Sequence, residues 1–157
     1  MTTTLRRTPD EGSIAPAIPV LALVLLLLAG LVVDASRQLS ARGRAVAYAE
    51  EAARAGAAAI ELDAPDLRLL PEDVVRERVN AYCRAAAAGG APLVDPENCY
   101  RGTTRVGDPQ GRALVVVTHV EIVQPTTLLG IVGVRELRAA GDGRARPFEG
   151  TTEEDVQ

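Results

Sequence analysis

Cys83, Cys99 and His119 are the side chains of this 157-residue chain best equipped for chemistry. Together they offer three metal ligands at wide spacing, against the four a structural zinc site takes. A disulfide is the better use of the two thiols. Closing the loop between them is worth roughly 3 kcal/mol in the chain-entropy model. His119 falls inside VVVTHVEIV, a run rich in β-branched residues, where packing or exposure explains it without catalysis. No GxSxG, HExxH or phosphate-loop pattern occurs. Gly107, Gly111, Gly130, Gly133 and Gly143 read as turn residues, and Glu50, Glu51, Glu72 and Asp73 as solvated helix acids. The expectation is a protein that is not an enzyme and takes no cofactor, metal or small-molecule substrate.

Whatever these residues do, they are positioned by residues 14–33, IAPAIPVLALVLLLLAGLVV, twenty residues without a charge. As a helix this run reaches roughly 30 Å, the thickness of a bilayer's hydrocarbon core. It reads as a single transmembrane helix in contact with membrane lipid. Val33-Asp34-Ala35 before Ser36 would suit a signal peptidase, but the run exceeds the 7–15 apolar residues of a signal sequence. Helical pattern also continues straight through that site. Arg6 and Arg7 precede the span while Arg37, Arg42 and Arg44 follow it, so the arginine count does not fix orientation. A short tail and a cysteine pair that needs an oxidising compartment favour an N-terminus in the cytoplasm. The pair is then expected on the extracytoplasmic side of the inner or plasma membrane.

The net charge is −4, and all seventeen basic residues are arginine. We read the absence of lysine as compositional bias; without a long basic run, nucleic-acid binding has no support. One Phe, three Tyr and no Trp leave Ala, Val and Leu to build the core.

The rest divides readily. Residues 1–13 form a polar cytoplasmic tail, 14–33 the span, 34–149 an extracytoplasmic domain, and 150–157 a loose acidic tail. Within the domain, residues 34–62 extend the first helix until Asp63-Ala64-Pro65 ends it. Leu39, Val46, Ala53 and Ile60 recur every seven residues with Ala57 nearby, a packing face for another helix or a sheet. A second helix covers 71–88, opened by Pro71 and stopped by Gly89-Gly90, with Val75, Val79, Tyr82 or Cys83, and Ala86 inward. Residues 100–148 read as sheet. In its best strand, 112–123, Leu114, Val116, Val120 and Ile122 share the inner parity. Asp142-Gly143 signals a hairpin turn between strands 134–140 and 144–148. The expected fold is α+β: a transmembrane helix continuing into a long helix, packed on a small antiparallel sheet.

This plan resembles type IV pilin-like proteins and, more closely, the TadE/TadG-like proteins of Flp (tight-adherence) pilus assembly. The matching residues are Gly12-Ser13-Ile14-Ala15 before the span, Gly30-Leu31-Val32-Val33-Asp34 leaving it, Arg37, and Ala49-Glu50-Glu51-Ala52-Ala53-Arg54-Ala55-Gly56-Ala57. They cover about a third of the chain. The strand 114–123, the segment 125–130 and the closing hairpin are similar in plan to the TadE side. The resemblance implies a structural role, as minor pilin or assembly factor, among other pilin-like membrane proteins, with possible incorporation into a surface filament. It also makes Gly12-Ser13 a candidate prepilin-peptidase site. The family's usual Glu, five residues after the cleaved glycine, is here Ala17, so an uncleaved bitopic component is the alternative. An anchored extracytoplasmic ligand-binding or sensory domain is the competing reading, weakened by the few aromatics available to line a pocket.

Overall fold

The computed structural model describes residues 16–61, 68–108 and 111–147. Both tails lie outside it, as do Gly12-Ser13, the Asp63-Ala64-Pro65 break and the Pro109-Gln110 connection.

Helix α1, Ala17–Ala57, is unbroken over 41 residues, about 60 Å at 1.5 Å per residue. Pro16 and Pro19 sit at its start, where a missing N–H costs no intrahelical bond. It ends at Ala57, short of the expected 62, because Ile60–Glu61 (β1) pairs with Arg68–Leu69 (β2) in a two-residue antiparallel ladder. Ile60 is therefore a strand residue, not the last member of a helix face. Helix α2, Glu72–Ala88, buries Val75, Val79 and Cys83 and carries Glu72 and Asp73 at its positive end.

Three strands follow, β3 (Tyr100–Asp108), β4 (Gly111–Pro125) and β5 (Glu136–Ala145), antiparallel in the order β3-β4-β5. A bulge between Tyr100 and Gly102 shifts the β3–β4 register, and Gly102 takes the φ of +138° that the bulge requires. Beyond the bulge the stretch before β3 continues the pairing: His119 N–H donates to Cys99 O, Val94 N–H to Glu121 O and Val123 N–H to Pro92 O. Val116, Thr118, Val120 and Ile122 of β4 are buried against the helices, one parity of the strand as expected. The opposite face carries the cross-strand pairs His119–Asp142, at 2.7 Å, and Glu121–Arg138, at 3.4 Å. The molecule is thus a two-layer α+β domain on the end of a long apolar helix.

The structure departs from the sequence reading at two further points. Asp142-Gly143 is not a turn: β5 runs straight through it, with His119 opposite Asp142 and Thr118 opposite Gly143. Gly143 is small because a Cβ there would lie 2.1 Å from Ala49 O of α1, and one on Gly141 would lie 2.3 Å from Val46 N. The seven-residue line also misses the buried face of α1. Buried positions run Gly30, Asp34, Ala41, Ala45, Ala49, Ala52 and Gly56, with Ala53 and Ala57 on one flank. Gly30, Ala41 and Ala52 recur every eleven residues, close to the turn of a straight helix, whereas a heptad line drifts about 20° per repeat. The line therefore starts at Leu39, 74% exposed, passes half-buried Val46 and enters the core only at Ala53.

Candidate functional site

Where α1 ends its apolar run, it carries a buried carboxylate. Asp34 directly follows the last residue of that run and is only 1% exposed. Its Oδ1 accepts the Thr127 N–H at 3.0 Å, and its Oδ2 accepts the N–H groups of Leu128 and Leu129 at 3.0 and 2.8 Å. These donors belong to the β4–β5 loop, just where it enters the short 3-10 turn Leu129–Val132. Burying a carboxylate is costly unless it is hydrogen-bonded, and three charge-assisted bonds meet that requirement. The N–H of Leu129 first, then that of Thr127, holds the Asp34 carboxyl below its ordinary range against the opposing effect of burial; Leu128 N–H and the Arg37 charge add to this.

Neighbours one turn away complete the clasp. Arg37 donates to the hydroxyl of Thr127, and the Leu128 side chain lies on Gly30. A Cβ on Gly30 would fall 2.0 Å from Leu128 Cδ1, so the glycine in an otherwise leucine-rich run is the socket for this side chain. Further along, Gln38 Nε2 donates to Arg138 O at 2.8 Å, Arg44 to Gln124 Oε1 at 2.7 Å, and the buried Thr118 hydroxyl to Ala49 O at 2.6 Å. The arrangement fixes a helix to a sheet. It presents no nucleophile with a base beside it.

The cysteines occupy the other flank. Cys83 of α2 and Cys99, just before β3, are joined, with S–S 2.05 Å and Cα–Cα 6.6 Å. Next to the bridge, Tyr100 N–H donates to Asn80 Oδ1 and the Tyr100 hydroxyl to Glu72, and burial pushes that hydroxyl's pKa up. With both thiols bridged and His119 paired to Asp142, the Cys83, Cys99 and His119 ligand set is not assembled. Among the described residues, no three of His, Cys, Asp and Glu converge as metal ligands.

Of the residues singled out from sequence, Cys83 and Cys99 come together, while Ala53 and Ala57 are buried and Leu39 is not. Gly12 and Ser13 lie outside the described residues. The Asp34 clasp and the packing roles of Gly30 and Gly56 were missed. Each glycine left one signal, an interruption of a run of good helix formers; a Cβ on Gly56 would lie 2.6 Å from Val79 and 3.0 Å from Val116.

Residues 12–59 match the family model described as putative Flp pilus-assembly TadE/G-like. No curated protein and no solved structure matches the chain. The matched stretch takes in all of α1, with Gly30, Asp34 and the alanine face, and stops before α2, the disulfide and the three-stranded sheet. That match points to a protein related to Flp pilus assembly, and with the apolar helix it fits a membrane-anchored one.

Proposed function

We propose that this TadE/G-like chain is a non-enzymatic, membrane-anchored structural component, a minor pilin or assembly factor, of a Flp/Tad-type pilus or related secretion system. The observation that carries the reading is α1 itself. Its first half exposes leucine and valine, its second half is fixed to a domain through alanine and glycine, and nothing breaks it between. Such a helix transmits the position of the bilayer directly to the domain. The same helix holds a subunit at the membrane or, on leaving it, packs in a filament beside other apolar helices.

The Cys83–Cys99 bridge supports an extracytoplasmic domain, since disulfides persist in oxidising compartments. The N-terminus is then cytoplasmic. The partners are membrane lipid and other pilin-like or platform proteins, met through surfaces that the domain's own packing leaves open. Exposed Leu39 and Gly43, which has open space beside it, lie on such a surface of α1.

The test is crosslinking in intact membranes followed by purification of this protein, alongside a deletion strain. The expected result is recovery of pilin-like or assembly-platform proteins and loss or alteration of pili. Recovery of none, together with normal pili in the deletion strain, would overturn the proposal.

A further inference from the structure

We infer that the β4–β5 loop, residues 126–134, is a second membrane contact: an apolar wedge immersed in the bilayer interface beside α1. The inference rests on the membrane-anchored part of the reading above and is independent of the pilus assignment.

Its depth comes first. The loop is not level with the end of the apolar run but reaches back along it, since Leu128 sits on Gly30. Gly30 precedes Asp34 by four residues, about 6 Å along the helix axis. If residues 14–33 are in lipid, Leu128 is within it too, at the roughly 5–10 Å depth typical of interfacial segments.

Composition agrees with that depth. Residues 128–134, LLGIVGV, carry no charge. Ile131 is 75% exposed, the highest among the large apolar side chains of the described residues, and Val134 is exposed as well. In water these side chains would be stranded at a loop tip; beside the span they continue its lipid-facing surface. Two arginines stand at its margin: Arg37 of α1 bonds the Thr127 hydroxyl, and Arg135 follows Val134 in sequence, its carbonyl accepting the Thr126 N–H. Arginine at this level can extend its charge to headgroups.

Backbone accounting is the strongest support. A loop can enter a bilayer only if its N–H groups are satisfied internally. Asp34 takes those of Thr127, Leu128 and Leu129. Those of Ile131, Gly133 and Val134 go to the carbonyls of Leu128, Gly130 and Leu129, and the Thr126 hydroxyl donates to Val134 O. The buried carboxylate thus does for three of these N–H groups what water does in an ordinary loop. Gly133, at φ +94°, turns the chain back toward β5.

The chain has no tryptophan, so one can be introduced as a depth reporter. Full-length Ile131→Trp and Val134→Trp proteins would be reconstituted in phosphatidylcholine/phosphatidylglycerol vesicles containing lipids brominated near the headgroup end of the acyl chain. Leu26→Trp reports on the span, and Val106→Trp on the far end of the sheet. The expected result is blue-shifted emission, quenched by bromolipid and protected from acrylamide, at 131 and 134 as at 26, with the reverse at 106. Acrylamide quenching at 131 and 134 while 26 is quenched by bromolipid would overturn the wedge and leave the anchor intact. Protection at 131 and 134 without bromolipid quenching would also overturn it, assigning the surface to a protein partner. A Leu26→Trp protein that bromolipid does not quench would overturn the anchor and the wedge together.

Discussion

Helix α1 is built from two sets of side chains that invert the usual arrangement of a soluble helix. From Ile18 to Val33 its large side chains, leucine, isoleucine and valine, are all exposed, whereas from Ala41 to Ala57 the buried ones are nearly all alanine. In the first half, large apolar side chains suit a helix that crosses a bilayer. In the second, the partner is a sheet whose own glycines bring backbone to backbone, and any side chain larger than a methyl is too big. One regular helix therefore meets two environments by changing side-chain volume alone. The junction between them is where Asp34 is placed.

The largest effect expected from disturbing this comparison is at Gly143. Gly143→Ala puts a methyl 2.1 Å from a helix carbonyl, a clash that no rotamer relieves. Destabilisation of about 3 kcal/mol or more is expected, the upper end for overpacking, read as a lowered thermal midpoint in detergent or nanodiscs. The corresponding lesion in the apolar half is Leu26→Arg. A central arginine costs about 2.5–3.5 kcal/mol on the insertion scale, so the inserted fraction in a membrane-integration assay should fall while the domain's own unfolding is unchanged.

Ala53→Leu should cost roughly 1–3 kcal/mol, because Ala53 is buried at the flank of the alanine face. Leu39→Ala, on the same heptad line but exposed, should leave unfolding unaltered; equal losses at both positions would break the distinction between the two faces.

Asp34 gives a pH test of the junction. Its carboxyl is lowered in the folded protein, so its stabilisation is full above the ordinary carboxylate pKa of about 4 and is lost as pH falls through the lowered folded value. The stability difference between the native protein and Asp34→Asn should stay constant from pH 8 to about 5 and shrink only under more acid conditions. A small effect of opposite sign is expected at Gly43, which has open space around it: Gly43→Ala should stabilise the helix by up to about 1 kcal/mol.

Much of this was legible in the residues themselves. The apolar span, α2 with its inward Val75, Val79 and Cys83, the disulfide and the inner parity of β4 all follow from local periodicity and cysteine placement. What escaped depends on contacts distant in sequence. Asp-Gly is a strong hairpin signal, yet here glycine answers the approach of a helix about ninety residues earlier, and nothing local distinguishes the two demands. A seven-residue repeat and an eleven-residue one differ little over two turns, so the alanine ridge was assigned to the wrong line of residues. Asp34 read as the polar end of a span because its partners, 127–129, come after α2 and four strands in the chain.

The close seating of β5 on α1 also sets an order of events. The strand that delivers Gly141 and Gly143 to the helix is the last of the five, so the contacts it makes with the alanine face span nearly a hundred residues of chain. Long-range pairings of this kind form late, after the entropy of closing the intervening chain has been met. A chain emerging across a membrane from its N-terminus would hold α1 in place early, with the part of that face around Ala45 and Ala49 incompletely covered until residue 145 had followed. During that interval the alanine ridge is the surface that a neighbouring subunit or an escort protein would meet first.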